Sequence, residues 1–418
     1  MIMLNCKDFG SFFIEKQQLK ISSFETVFPC QQPFYSILLS RQARRPQHQD
    51  WWLHATNAVC KWAGSKKMTA IVGGGLIQLD FARWCAHSFG KVIFVDITCA
   101  GGRKNSSPTC ADKWFDKRIE LSPNSKMTLQ ELYLARDKVI ADLSDIIIGI
   151  AVRKGGVMEQ IGKQAIRNGK RVIVLAPPIR KRCYEGNFAL LDAGAEILEI
   201  PVCAPETGKK NVFFPQSQGK ILNEKLNGWL WHYTREHIGP WHEQSWDSYF
   251  EGLILGAPDS SHSAFDSLMK IIEEERIRSS GKLIKGGEPV VCWTSTSPFK
   301  ILSRRSYRKA LARWEFHPYA VAVKLSMGEK LGIKPVICVS SYNYKSIHHD
   351  QRYLYKRLAT NGKNKWAELD EWRYRGDFLL TDILPSDGLV LVNNFDEKKI
   401  ISAKSRFPVL SIEEITDS

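Results

Sequence analysis

Gly73, Gly74 and Gly75, and farther along Gly155 and Gly156 with Arg153 and Lys154 just ahead of them, have the types and spacing that suit contact with a phosphate. Glycine lets backbone N–H groups close on an anion with no Cβ in the way, and the start of a following helix adds the favourable end of its dipole. Arginine and lysine supply countercharge. Arg136 opens the run RDKVIADLSDIIIGIAVRKGG that leads into the second turn. A lone glycine pair most often does no more than end a strand. Two such turns, each following an apolar stretch, point to one pocket for a nucleotide or for the backbone of DNA.

The elements that must hold those turns are legible around them. Ile146, Ile147, Ile148, Ile150 and Val152 form an unalternating β-branched run, which suits a strand buried on both faces of a parallel sheet. Gly155 and Gly156 then fall at its carboxyl end, where open α/β sheets hold ligands. The rhythm continues, with strands expected near 69–73, 91–97, 145–152, 171–176 and 196–200 and helices near 76–89, 128–142, 157–169 and 185–193. This alternation predicts an α/β, doubly wound, Rossmann-like parallel sheet domain.

The series Arg136, Ile140-Ala141, Leu143-Ser144-Asp145, Gly155-Gly156, Gly169-Lys170, Val172, Val174, Ala176-Pro177, Gly186-Asn187, Leu190-Leu191 and Gly194-Ala195 resembles the Rossmann-like domain of the DNA-processing A (DprA/Smf) proteins. These belong to the SLOG superfamily, which also contains LOG-type phosphoribohydrolases. The resemblance covers roughly residues 50–205. It implies binding of single-stranded DNA or of a nucleotide, with the glycine turns near the phosphates. The acidic glycine-rich motif of the phosphoribohydrolases, with its catalytic glutamate, is not evident, which favours binding over cleavage in this half.

At 418 residues the chain is long enough for two to three domains, each with its own core. A hydrophobic share of 44% and a charged share of 25% are the balance of an ordinary soluble globular protein. No apolar run approaches the ~20 residues of a membrane helix. The first residues lack the basic start and unbroken apolar core of a secretory signal, so no membrane is expected and a cytoplasmic location is. Ten cysteines are scattered singly with no CxxC, which fits reduced, buried thiols. His232, His237 and His242 recur at a step that places them on different helical faces, and no HExxH occurs, so no metal is expected.

A formal charge of +15 is the strongest compositional pointer to a partner, because neutralising phosphates releases counterions and gives sequence-independent affinity for nucleic acid. Basic clusters occur at 41–45, at Arg180-Lys181-Arg182, at Arg304-Arg305 with Arg308-Lys309, and across 345–365, where Tyr342, Tyr344, Tyr353 and Tyr355 are interleaved or adjoin. Aromatics among cations stack bases. Any one cluster by itself reads as a solvated face; the set together favours a nucleic-acid partner. A homo-oligomer is compatible with the sequence.

The doubly wound rhythm stops near Val202, and a polar, proline-bearing stretch follows. The expected division is an extension over 1–50, a DNA- or nucleotide-binding domain over 51–205, a linker over 206–225 and an α+β domain over 226–418. That last part holds Trp229, Trp231, Trp241, Trp246, Trp293, Trp314, Trp366 and Trp372, a different core from the first. Strands are expected at 229–234, 289–296, 318–325, 334–340, 371–380 and 388–393, with a helix at 262–278. Alternation sets Leu369, Glu371 and Arg373 on one side of a strand, where Arg373 keeps Glu371 ionised and oriented.

Four pieces in that half, Trp231-His232-Tyr233-Thr234, Val290 to Ser295, Pro318 to Lys324 and Glu371-Trp372-Arg373, resemble the ADP-ribosyltransferase-like domains of bacterial toxins and abortive-infection proteins, a group including DarT-like enzymes. The resemblance implies NAD as cofactor. It casts His232 as the ligand of the adenosine ribose, Tyr307 as the ring stacked on nicotinamide with Tyr233 and Tyr319 as rivals, and Glu371 as the grip on the nicotinamide ribose. Breaking the nicotinamide–ribose bond builds positive charge on the ribose, so a fixed carboxylate stabilises the transition state more than the ground state. Without the resemblance, Glu371 reads as a surface salt-bridge partner, and His232 reads equally as a core histidine among tryptophans.

Together these readings predict a defence-type protein that couples DNA or nucleotide recognition to NAD-dependent ADP-ribosyl transfer or NAD cleavage. Two rivals stand beside it. One is a DNA-base modification enzyme of a modification and restriction system that does not use NAD, since a deep aromatic pocket also suits an extruded base. The other is a DNA-binding protein without catalysis.

Overall fold

The computed structural model describes residues 19–21, 32–97, 113–123, 127–177, 183–205, 226–258, 260–282, 284–303, 305–308, 313–339, 346–357 and 370–416. The expected linker at 206–225 and the basic runs at 180–182, 304 and 309 lie outside the described residues, as do Tyr342, Tyr344 and all of 358–369. The chain forms two compact units: Met1–Thr207 with Gly239–Ser261, and Gly208–Ile238 with His262–Ser418.

The first unit is built on strands β1 (Leu19–Ile21), β2 (Phe34–Leu39), β3 (Thr69–Val72), β4 (Val92–Ile97), β5 (Lys117–Pro123), β6 (Ile146–Ala151), β7 (Arg171–Leu175) and β8 (Glu196–Leu198). Their order in the sheet is β1-β5-β4-β3-β2-β6-β7-β8. Every pairing is parallel except β1 with β5. Helices α1 (Trp51–Ser65), α2 (Ile77–Phe89), α3 (Leu129–Leu143), α4 (Val157–Arg167), α5 (Glu185–Leu191) and α6 (Trp246–Leu255) complete it. The apolar faces of α1, α2 and α6 share one core. Those of α3 and α4 pack with the strands in two further clusters. The unit is therefore a doubly wound, Rossmann-like α/β domain, as the alternation of elements predicts.

Local chemistry explains the element ends. Thr128 and Glu131 form a reciprocal capping box that starts α3, the Thr128 hydroxyl accepting from the Glu131 amide and the Glu131 carboxylate from the Thr128 amide at 2.7 Å. Strands β3 and β4 are buried at every position, which removes any apolar–polar alternation.

Two assignments differ from the sequence reading. Residues 34–39, expected within an N-terminal extension, form β2 in the middle of the sheet, paired in parallel with both β3 and β6. The stretch FYSILL has no period because both of its faces are covered. The segment 239–261, expected in the C-terminal domain, belongs to the first unit. Its Phe250 ring meets Phe81 at 5.3 Å and Trp114 at 5.6 Å. Asp247 accepts the indole N–H groups of Trp84 and Trp114 at 3.1 and 2.7 Å.

The second unit contains β9 (Trp229–Tyr233), β10 (Arg276–Ile277), β11 (Val290–Thr294), β12 (Tyr307–Arg308), β13 (Arg313–Trp314), β14 (Ala320–Lys324) and β15 (Lys334–Pro335). It continues with β16 (Ile337–Val339), β17 (Tyr355–Arg357), β18 (Glu371–Arg375), β19 (Phe378–Leu379), β20 (Gly388–Val392) and β21 (Val409–Ser411). Seven of these form one sheet in the order β15-β18-β11-β9-β14-β20-β21, antiparallel except for β20 with β21. One face packs Leu230, Trp293, Val321 and Val390 against helix α7 (Ala264–Glu274). The other packs Trp231, Tyr233, Ala320 and Leu391 against helix α8 (Pro298–Ser303). The unit is α+β, as expected.

The fold analysis predicts that Phe250→Ala costs about 3–5 kcal/mol, the usual loss for a large aromatic deleted from a core. Leu255→Ala on the same helix, where the side chain is 72% exposed, changes stability by about 0.5 kcal/mol or less. Urea unfolding with hydrogen exchange checks this, and the loss of protection falls on β3 and β4 rather than on β9 and β11. An unchanged midpoint for Phe250→Ala overturns the placement of α6 in the first core.

Candidate functional site

The chain leaves β2 outward through β3, β4 and β5, then crosses back to β6 on the other side of β2. Strand order therefore reverses between β2 and β6, and the crevice beyond their carboxyl ends is the place where such sheets take ligands. Both glycine turns stand at this end of the sheet, Gly73 to Gly75 after β3 and Gly155-Gly156 after β6, on either side of β2.

The β6 turn is braced from three directions. The Ser40 hydroxyl, just past β2, accepts the Arg153 amide at 2.9 Å, and the Arg153 guanidinium donates to the Arg41 carbonyl at 3.2 Å. Asn187 is fully buried and ties the strand ends together, donating to the carbonyls of Ile150 and Leu175 and accepting the Val152 amide at 2.8 Å. Gly155 has φ +70°, a left-handed conformation that favours glycine, with open space around it. Arg41, Arg44, Arg153 and Lys154 are exposed at this rim.

Glu159 was missed in the sequence reading. It lies in the first turn of α4, where its carboxylate accepts the Gly155 amide at 2.6 Å and the Lys163 ammonium at 2.6 Å. Burial pushes its carboxyl up, but the Lys163 and Gly155 hydrogen bonds outweigh this and hold it below the usual carboxylate range. An internal anion thus meets the amide that the glycine turn offers. The available signal was an acidic residue in the first turn of the helix predicted after Gly156.

The β3 turn is glycine-rich for a different reason. A Cβ on Gly73 stands 2.7 Å from the Arg136 Nε, and one on Gly74 stands 2.9 Å from the Phe94 ring. Arg136, expected to meet phosphate, is only 2% exposed. It donates to the Gly74 carbonyl and to Asp137 at 3.0 and 2.7 Å, so it fastens the turn from within rather than facing a ligand. Asp80 is buried beneath the same turn, 3.2 Å from Arg83. Burial raises its carboxyl to about 6, against the pull of Arg83, the Gly75 amide and Arg136. Arg83 stacks on Phe94 at 4.1 Å, and Arg118 pairs with Asp96 alongside.

In the second unit, sheet register decides which of the expected site residues meet. Glu371 is paired with Thr294, which is paired with Trp231, and Arg373 is paired with Cys292. Cross-strand partners share a face and sequence neighbours take opposite faces. Glu371 and Arg373 therefore lie on the Trp231 face. His232 lies on the other, its ring 5.6 Å from that of Trp293. The expected convergence of His232 and Glu371 is not formed.

His232 donates from Nδ1 to the Cys292 carbonyl at 2.9 Å, bridging β9 and β11 beside their one ladder pair, Thr294 with Trp231. Burial lowers its imidazole to about 4 although the Cys292 carbonyl favours the protonated form; Arg235 adds to the lowering. Tyr307, expected on a helix, is on the β12–β13 ribbon outside the seven-stranded sheet, stacked edge-on with Trp314 at 5.6 Å. Of its rivals, Tyr319 donates to Glu397 at 3.0 Å, and Tyr233 is buried against Phe316.

The Arg373–Glu371 pair expected from alternation is formed through the Arg373 guanidinium. Its Nε and Nη2 hold Glu371 Oε1 at 2.8 and 2.7 Å, while Lys356 holds Oε2 at 2.6 Å. Burial acts to raise the Glu371 carboxyl, yet Arg373 and Lys356 together hold it below its ordinary value. Arg373 is anchored in turn by the Tyr353 carbonyl.

Strand order and switch point define the first unit as a doubly wound, Rossmann-like module, joined in one chain to an α+β module. No known protein family matches the chain, and no curated protein does. Among solved structures, DNA processing protein A from Streptococcus pneumoniae matches at 17% identity, covering 40% of this chain and 58% of that one, with a TM-score of 0.33. The match thus spans under two-thirds of that protein. DNA processing protein A from Helicobacter pylori, described with its single-stranded DNA binding mode, matches at 20% identity over 40% of this chain and 74% of that one, TM-score 0.31. The molybdenum cofactor carrier protein of Chlamydomonas reinhardtii matches at 18% identity over 40% of this chain and 91% of that one, TM-score 0.28. The architecture rests on the strand order itself rather than on likeness at these scores. The ADP-ribosyltransferase resemblance of the C-terminal half has no counterpart among these three.

The geometry predicts that His232 stays neutral well into acid. Because its folded value is depressed, its contribution to stability is present above about 6.5 and is lost as pH falls toward about 4. NMR titration of the imidazole checks this, and a midpoint near 6.5 overturns the half-buried, carbonyl-bound placement.

Proposed function

We propose that the first unit binds the sugar-phosphate backbone of DNA, or a nucleotide, across the carboxyl ends of β2 and β6. The observation that carries the reading is the set of exposed cations Arg41, Arg44, Arg153 and Lys154 around the Gly155 turn at the switch point. Ser40 and Asn187 hold that rim rigid, so its cations are placed in advance. The +15 formal charge of the chain adds attraction to any polyphosphate at low salt.

Fluorescence anisotropy with single-stranded DNA, duplex DNA and mononucleotides tests the proposal. Arg153→Ala with Lys154→Ala weakens binding to all sequences alike, and the salt slope on a single strand flattens by about 0.7 for every phosphate that is no longer neutralised. Affinity and slope unchanged in the Arg41, Arg153 and Lys154 triple alanine variant overturn it. Glu159→Gln separates two modes of binding. It tightens binding several-fold where phosphate reaches the α4 N-terminus and leaves it unchanged where the backbone touches only the rim.

The finer reading, NAD-dependent ADP-ribosyl transfer or NAD cleavage in a defence setting, is supported by the ionised Glu371 held by Arg373 and Lys356. It lacks the adjoining imidazole. Nicotinamide release by the wild type and not by Glu371→Ala supports it. Base modification of DNA without NAD, read by mass spectrometry of nucleosides, supports the rival enzyme instead. A protein that does neither, and whose DNA binding is untouched by Glu371→Ala, is a binder alone.

A further inference from the structure

We propose that His348, His349 and Asp350 form a binding site for a first-row divalent metal ion, with zinc as the ion best suited to two imidazoles and a carboxylate. One ligand atom from each lies within 4.8 Å of the others. The His348 Nδ1 is 3.5 Å from Asp350 Oδ2, and the His349 Nε2 is 3.0 Å from Asp350 Oδ1. Two atoms bound at about 2.05 Å to a tetrahedral ion stand about 3.3 Å apart. These two separations, each to a different oxygen of the Asp350 carboxylate, lie either side of that edge, and rotations of the exposed side chains bring the remaining nitrogen–nitrogen edge, now within 4.8 Å, to the same length.

The contiguous pair escapes a search for spaced motifs, because only the bend between residues 348 and 350, at the start of the 3-10 turn His349–Leu354, brings both rings to one carboxylate. Their ring centroids are 5.0 Å apart. Asp350 also accepts from Arg375 at 3.1 Å, and Arg375 is shared with Glu288 at 3.4 Å. Ligating carboxylates are commonly hydrogen-bonded by an outer partner that fixes their orientation, which is the role Arg375 takes here. The ion takes the place of the direct contacts between the two imidazoles and Asp350. Three protein ligands leave a coordination position for water or for a donor from a partner.

The site sits on the turn that carries the Tyr353 carbonyl, the anchor of Arg373 and through it of Glu371.

Calorimetric titration of the full chain with ZnCl2, and Co2+ absorption as a second probe, test the inference. The wild type binds at least one equivalent that His348→Ala with His349→Ala weakens by about tenfold or more. Asp350→Asn gives a smaller loss, and Zn2+-induced shifts of the two imidazoles appear in NMR spectra of the wild type. All three positions are exposed, so the variants keep the fold, which circular dichroism verifies. Equal affinity and stoichiometry in the wild type and the double variant, or imidazole signals unmoved by Zn2+, overturn the proposal.

Discussion

The parallel pairing of β2 between β3 and β6 is the constraint that shapes the first unit. A strand in that place has no free edge, and both faces are covered. It must therefore supply apolar side chains upward and downward, as Tyr35, Leu38 and Leu39 do. Strand order turns back between β3 and β6, and β2 stands in that gap, so the turns after β3 and β6 flank its carboxyl end. The rim cations at 41 and 44 follow directly from its carboxyl end.

The two glycine turns look alike in sequence and are held in part by different physics. At the β3 turn Gly73 and Gly74 are needed because a guanidinium and an aromatic ring press against the backbone, while Gly75 takes a left-handed φ of 88°. The charges there are internal: Arg136 with Asp137, Arg83 with Asp80, Arg118 with Asp96. Taking such groups out of water is costly, and each is offset by a partner, with Arg83 and Arg118 also lying over the Phe94 ring. At the β6 turn the glycine answers to a left-handed backbone with open space beside it. There the cations face outward, and Glu159 supplies an internal anion. The first turn is architecture, and the second is an exposed basic surface.

The second unit shows how a period of two governs chemistry. His232 and Glu371 stand on strands separated by β11 alone, a distance that two side chains on a common face can bridge. One residue of parity sends the imidazole toward Trp293 and the carboxylate toward Arg373 and Lys356. The same alternation explains why Arg373, two residues from Glu371, is its partner. What remains on the Glu371 face is an ionised acid locked between two cations and anchored to the turn that bears His348, His349 and Asp350.

Much of the α/β unit was legible in the sequence because its signals are local: the β-branched run 146–152, the capped helix starting at Thr128, the breaks at Gly155 and Gly194. The Arg373–Glu371 pair was legible for the same reason, being fixed by alternation within one strand. The place of 34–39, the return of 239–261, the burial of Arg136 and the separation of His232 from Glu371 were not. Each depends on which strands pair, in what register, and on what covers them, and those are relations between distant residues that composition and period do not encode. Local propensity chose the elements; cross-strand pairing and burial chose which side chains meet.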